Sequence, residues 1–221
     1  WISFNIFGGN IKTATTLDVS SYIPRYTLSG EAVDLKLSEA MAALLGDRYV
    51  EAVMNADYDI STEGKTVSAL KKQLNGTLSF SAGEGVIQKW QLSRLIYQAK
   101  QFFETGSLGA VASEDFEFTS ANASAKITQG VIKNQDLNIQ APRIVVEGKG
   151  LVNLPNNSID YVVTPKLDIS SNPDEEKTRS IGITIKGDLS SPKYNIDLGS
   201  VVKDRVQEKS DEVKDKIRSK I

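Results

Sequence analysis

Alternation is the feature that most limits what this chain can become. Phe116 and Phe118 stand two apart, with Asp115, Glu117 and Thr119 between and beside them. The same parity runs through Ile144, Val146, Val152 and Leu154, then Ile159, Tyr161 and Val163, then Ile181, Ile183 and Ile185, then Tyr194, Ile196 and Leu198. A period of two sets one face of a strand on apolar material and leaves the other in water. Turn chemistry separates the runs: Ala141-Pro142, Pro155-Asn156-Asn157, Ser171-Asn172-Pro173-Asp174, Lys186-Gly187-Asp188 and Ser190-Ser191-Pro192. Spacers this short join antiparallel neighbours, because parallel pairs need a long crossover. Residues from about 115 to 198 therefore read as an antiparallel meander with one apolar face.

The first half mixes strands with helices. Leu37, Ala40, Met41, Leu44 and Leu45 recur at helical spacing, and Gly46 ends the pattern. Leu92, Leu95, Ile96, Ala99, Phe102 and Phe103 do the same, ending near Gly106. A weaker helix is expected over Val67 to Leu74. The expected fold is α+β: a large, twisted, mostly antiparallel sheet forming an open groove, with amphipathic helices near 37–46 and 90–105. Residues 1–198 form that β-rich domain, and residues 199–221 a charged amphipathic C-terminal helix. That tail places Val202, Val206, Val213, Ile217 and Ile221 on one side, among seven basic and five acidic residues. So thin an apolar stripe suits a solvated helix better than an interfacial one.

Composition removes whole function classes. The chain has no histidine and no cysteine. Ser–His–Asp and Cys–His nucleophiles, His or Cys zinc sites, disulfides and iron–sulfur ligation are therefore excluded. A net charge of −2 does not advertise nucleic acid, whose phosphates call for a basic excess. Lys89-Trp90 with Arg94 is one aromatic and two cations, which suits packing. Gly83-x-Gly85 lacks the third glycine of a phosphate loop. Asp57 and Asp59 share one strand face but supply too few oxygens for a hard cation. Asp174-Glu175-Glu176 reads as a solvated loop. The expectation is a protein without catalysis and without a cofactor or metal. The longest apolar run, Ala40 to Leu45, is far short of the roughly 18 to 20 residues of a membrane span.

Short echoes recur. Gly30-Glu31-Ala32-Val33 and Gly83-Glu84-Gly85-Val86 each open a strand that leads into a helix at Leu37-Ser38 and Leu92-Ser93. Gly85-Val86-Ile87 is echoed by Gly130-Val131-Ile132, and more loosely by Gly9-Asn10-Ile11-Lys12. They suggest duplicated β units.

From Leu28 to about Leu167 the order of pieces resembles the C-terminal region of the AsmA family, bacterial cell-envelope proteins that include AsmA and its TamB-like relatives. The carrying stretches are LSGEAVDLKLSEAMAALLG, LNGTLSFSAGEGVIQKWQLSRLI and FTSANASAKITQGVIKNQDLNIQAPRIVVEGKGLVNLPNNSIDYVV. The resemblance implies the soluble, periplasmic part of a protein anchored in the inner membrane by an N-terminal helix that this chain lacks. It implies a curved sheet whose apolar face carries phospholipid acyl chains toward the outer membrane, in contact with membrane only at that anchor or at the groove's ends. The lining would be Phe116, Phe118, Ile144, Val146, Val152, Leu154, Ile159, Tyr161, Val163, Ile181, Ile183 and Ile185. The same residues equally suit an ordinary core beneath the helices. A different reading makes the chain an assembly scaffold that binds envelope proteins by strand addition to an open sheet edge.

Overall fold

The computed structural model describes residues 1–46, 48–88, 91–105, 115–168 and 178–197. In chain order the elements are β1 (Ile2–Ile6), β2 (Gly9–Asp18), β3 (Arg25–Lys36), α1 (Leu37–Leu45), β4 (Val50–Glu63), α2 (Val67–Lys72), β5 (Asn75–Ile87) and α3 (Gln91–Thr105). There follow β6 (Phe116–Phe118), β7 (Ser120–Thr128), β8 (Val131–Ala141), β9 (Ile144–Asn153), β10 (Ser158–Asp168), β11 (Thr178–Ser180), β12 (Gly182–Asp188) and β13 (Lys193–Asp197). The strands form one 13-stranded sheet in the order β1-β2-β3-β4-β5-β7-β8-β9-β10-β12-β13, with β6 beside β5 and β11 beside β10. Neighbours pair antiparallel throughout. The sheet does not close, since β1 and β13 lie at opposite edges.

The expected α+β class therefore holds only loosely: among the described residues sheet dominates, and helix content is small. The helix expected over 199–221 lies outside the described residues, as do Lys89-Trp90 and Asp174-Glu175-Glu176. Lys186-Gly187-Asp188 is not a turn but the end of β12, paired with Ser158–Asp160 of β10. The turn begins one residue later because the Asp188 carboxylate accepts from the Ser190 backbone N–H at 2.9 Å and from Asn157 Nδ2 at 3.0 Å.

Helix ends follow from local chemistry. Gly46 adopts the left-handed conformation (φ 81°), and its N–H donates to the Ala42 carbonyl, closing α1. Thr66 Oγ1 accepts from Ala69 N–H at 3.2 Å, capping α2. Because the strands alternate in direction, connections collect at two ends of the sheet. One end carries the Phe7–Gly8 turn, α1, α3 and the turn at Arg143; the other carries the 19–24 loop, α2 and the turns at 129–130, 154–157 and 189–192.

Strands β3, β5 and β8 each contain one extra residue relative to their partners, at Val33–Asp34, Gly83–Glu84 and Gln135–Asp136. A bulge adds local bend and twist. Two of them are pinned by side chains. Asp34 N–H donates to Asn55 Oδ1 at 2.9 Å. The Asp136 carboxylate accepts from Ser124 N–H (2.9 Å), Ser124 Oγ (2.6 Å) and Asn134 Nδ2 (2.7 Å).

Candidate functional site

Register builds the site. One transverse ladder runs Ile2, Thr13, Gly30, Tyr58, Leu78, Ala125, Asn134, Gly150, Tyr161, Ile185, Tyr194, crossing every strand of the main path. Beside it run Phe4, Ile11, Ala32, Ala56, Phe80, Ala123 on one side and Leu28, Ile60, Gly76, Ile127, Ile132, Val152, Ile159 on the other. Directly paired residues share a face. One apolar face therefore extends from edge to edge.

Its two halves differ in cover. Under α3 the face is sealed. Leu95, Ile96 and Phe102 of the helix join Ile87, Phe116, Phe118, Ile139, Ile144, Val146, Val163, Leu167, Ile181, Ile183 and Ile185 in one cluster. Tyr97 packs edge-on against Phe116 with ring centroids 6.4 Å apart, and its hydroxyl donates to the Asp115 carbonyl at 2.9 Å. Over β1–β5 cover is thin. A small cluster of Ala32, Leu35 and Ala56 is flanked by Phe7, Ile11, Met54 and Phe80. Around it Ile2, Phe4, Ile6, Leu17, Tyr26 and Leu78 stay exposed.

Of the lining read from sequence, Phe116, Phe118, Ile144, Val146, Val163, Ile181, Ile183 and Ile185 lie in the sealed cluster, with Val146 and Ile183 fully inaccessible. Val152, Leu154, Ile159 and Tyr161 are half-buried. The set shares one face, but most of it sits in a core as the protein stands. The open stretch falls instead on strands that the sequence reading left out. Its signal was present in Tyr58-x-Ile60 and Leu78-x-Phe80-x-Ala82, short runs with period two.

Aromatic rings lie low on this face because glycines sit beneath them. A Cβ at Gly150 would come within 2.7 Å of Tyr161 Cδ2, and one at Gly148 within 2.9 Å of Tyr161 Cε1. A Cβ at Gly85 would meet Phe118 Cζ at 2.5 Å, and one at Gly30 the Tyr58 hydroxyl at 3.0 Å. A ring laid along the sheet covers the neighbouring backbone and leaves the space above it free. Tyr161 thereby reaches across β9, and its hydroxyl donates to Asn134 Oδ1 at the β8 bulge. Burial, and the Asp136 charge nearby, push the Tyr161 hydroxyl up to about 12. The Asp136 carboxyl is held below its ordinary range by the Ser124 hydroxyl and then by the Ser124 N–H.

The opposite face is polar. Cross-strand pairs Lys12–Glu31 (3.9 Å), Arg25–Glu63 (3.2 Å) and Lys186–Asp160 (3.2 Å) decorate it, exposed and worth about 0–1 kcal/mol each. A hollow of about 670 Å³ is lined by Lys12, Glu31, Asp57, Asp59 and Lys126 together with Trp1, Tyr58, Leu78 and Ala125. The five charged residues in that lining disfavour hydrocarbon within the hollow, so the uncovered apolar face is the candidate site. Among the described residues no group of three acidic side chains is placed to hold a metal ion. No helix among them is long and apolar enough to cross a membrane.

Comparison with known proteins adds one finding. The family described as YhdP protein matches residues 30–174, from within β3 to just beyond β10. No curated protein and no solved structure matches the chain. The match covers well over half of the sequence and spans both the open and the sealed parts of the apolar face, so the chain belongs to the YhdP family, a member of the AsmA-like group of bridge-like lipid transport proteins.

Proposed function

We propose that this domain is a non-enzymatic, lipid-carrying segment of a periplasmic bridge between the inner and outer membranes of a Gram-negative cell, holding phospholipid acyl chains on the apolar face of β1–β5. The observation that supports it best is the surplus of that face: it runs unbroken beneath α3 and out across five strands with little over it. Burial of hydrocarbon is worth about 0.8 kcal/mol per CH₂. It has no direction along the face, so a chain slides without breaking specific bonds. Low-lying Tyr58 keeps the open floor flat, and headgroups remain in water. The residues sealed under α3, Val146 and Ile183 among them, become acyl contacts only where that helix yields its place.

Photocrosslinking in cells tests this. An unnatural residue at Leu78 is expected to trap phospholipid, one at Ile183 to trap the protein's own α3, and the purified protein to carry phospholipid visible by mass spectrometry. Lipid-free protein with no lipid adduct at Leu78 would falsify the proposal. A second reading has its own observation. Strand β1 is an exposed edge without charge or proline, the usual guards against strand addition. A scaffold that recruits envelope proteins through this edge predicts protein adducts at Ser3 and an empty apolar face.

A further inference from the structure

At the end of the sheet opposite α1 and α3, the loop between β2 and β3 and the turn from β4 into α2 form one protrusion. Gly64 N–H donates to the Pro24 carbonyl at 3.1 Å, joining the two segments. Lys65 Nζ sits 3.0 Å above the centre of the Tyr22 ring. The loop is held from within: Ser20 N–H donates to Asp18 Oδ1 at 2.9 Å, and Ser21 Oγ to the Ile23 carbonyl at 2.7 Å. Yet this built loop faces its apolar side chains outward. Tyr22 is 87% exposed, Val67 71%, Val19 69% and Ile23 49%. A fixed backbone that presents several large apolar groups to water marks an interaction surface.

Charge decides which partner fits. Glu63 is paired with Arg25 at 3.2 Å, and Asp18, which accepts from Ser20, keeps its charge against three lysines. The cations Lys65, Lys71 and Lys72 are exposed, and none forms an ion pair with a described residue. An aromatic and aliphatic tip with Lys65 on its tyrosine ring and Lys71 and Lys72 on the adjoining helix has the chemistry of an interfacial membrane anchor: the apolar groups enter the headgroup boundary and the lysines meet anionic lipid. We infer that this protrusion docks the domain on the surface of a phospholipid bilayer containing anionic lipid. The surface is distinct from the apolar face of β1–β5 and does not depend on its role.

The absence of cysteine allows a clean test on the full chain. An environment-sensitive fluorophore on Val19→Cys reports insertion, and flotation reports binding, with vesicles of phosphatidylethanolamine alone or with phosphatidylglycerol. The labelled protein is expected to float with the anionic vesicles and its emission to shift to the blue. Tyr22→Ser/Ile23→Ser is expected to weaken flotation about tenfold, and Lys71→Gln/Lys72→Gln to erase the preference for phosphatidylglycerol. Val53→Ser, an exposed apolar change away from the tip, leaves flotation unchanged. Phospholipid co-purification should survive the tip substitutions, which separates this surface from the carrier face. Failure of the wild-type protein to float, equal flotation of the tip variant, or a photocrosslinker at Ile23 that traps protein rather than lipid in cells would each overturn the inference.

Discussion

The face over β1–β5 and the face over β8–β12 are written in nearly the same alphabet, and they end in different environments. Both set mostly apolar side chains on one face of their strands, and both lay a tyrosine across a glycine, Tyr58 over Gly30 and Tyr161 over Gly148 and Gly150. What separates them is a helix. α3 brings Leu95, Ile96 and Phe102 down on one half, whereas α1 ends after nine residues beside β3 and β4. Strand patterning fixes which face is apolar, and whether that face becomes core or surface depends on what the next connection lays over it.

The sharpest way to break this contrast is to delete the same amount of side chain from each half. Ile183→Ala in the sealed half removes fully buried atoms and leaves a cavity, so chemical denaturation should show a loss of about 2–5 kcal/mol. Leu17→Ala, at a residue 57% exposed on the open half, should change stability by less than about 0.5 kcal/mol. Equal losses would mean that the open half is covered in solution.

Much of this fold was legible in the sequence, and the misses have physical causes. Runs such as Ile181-x-Ile183-x-Ile185 and Ile144-x-Val146 lie in strands or strand segments that keep their parity, so alternation named their face. Strands β3, β5 and β8 shift parity at their bulges: Ala32 is followed on the apolar face by Leu35, and Asn134 by Leu137. Read with a strict period of two, such strands look half polar. The echoes at Gly30 and Gly83 lie in bulged strands that lead into helices, so the repetition was visible while its geometry was not. Exposure was hidden too. Val146 and Leu78 are both apolar residues in alternating strands, yet Val146 is inaccessible within the cluster that includes α3 while Leu78 stays exposed.

Gly148 and Gly83 differ in what surrounds them. A Cβ at Gly148 would meet Leu137 Cδ2 at 2.7 Å and the Tyr161 ring at 2.9 Å, while one at Gly83 would meet nothing within 4 Å. Gly148→Ala must lift the tyrosine off the sheet and should cost about 1–3 kcal/mol. Gly83→Ala should stay within about 0.5 kcal/mol. Thermal denaturation of the two variants decides whether the low-lying ring is a packed arrangement or an incidental one.

The bulge of β8 gives a smaller effect with a pH signature. Hydrogen bonds from Ser124 hold the Asp136 carboxyl below its ordinary value in the folded protein. A depressed folded pKa contributes stability that is present above the unfolded value, about 3.9, and is lost as pH falls through the folded one. The site is largely solvated, so the contribution is modest. Asp136→Asn should cost about 1 kcal/mol at neutral pH and flatten the fall in stability on acidification below about pH 4. Parallel acid titrations of wild type and variant, followed by circular dichroism, would show unchanged slopes if the bulge does not rely on that charge.

Tyr161 should give the smallest change, and it titrates in the opposite direction. Its hydroxyl is pushed up to about 12 by burial first and by Asp136 second. A raised folded pKa means stability that is full below the unfolded value, about 10, and is lost as pH climbs from there through about 12. Tyr161→Phe removes this alkaline slope together with the hydrogen bond to Asn134. The ring keeps its place over Gly148 and Gly150, so at neutral pH the loss should be no more than about 1 kcal/mol. Ultraviolet titration of tyrosinate should show one fewer late-ionising tyrosine in the variant than in the wild type, with Tyr194, which burial also raises, late in both. A Tyr161 that ionised at the ordinary tyrosine value of about 10 would show that the ring stands up into water, and that the floor beneath α3 is as open as the one over β1–β5.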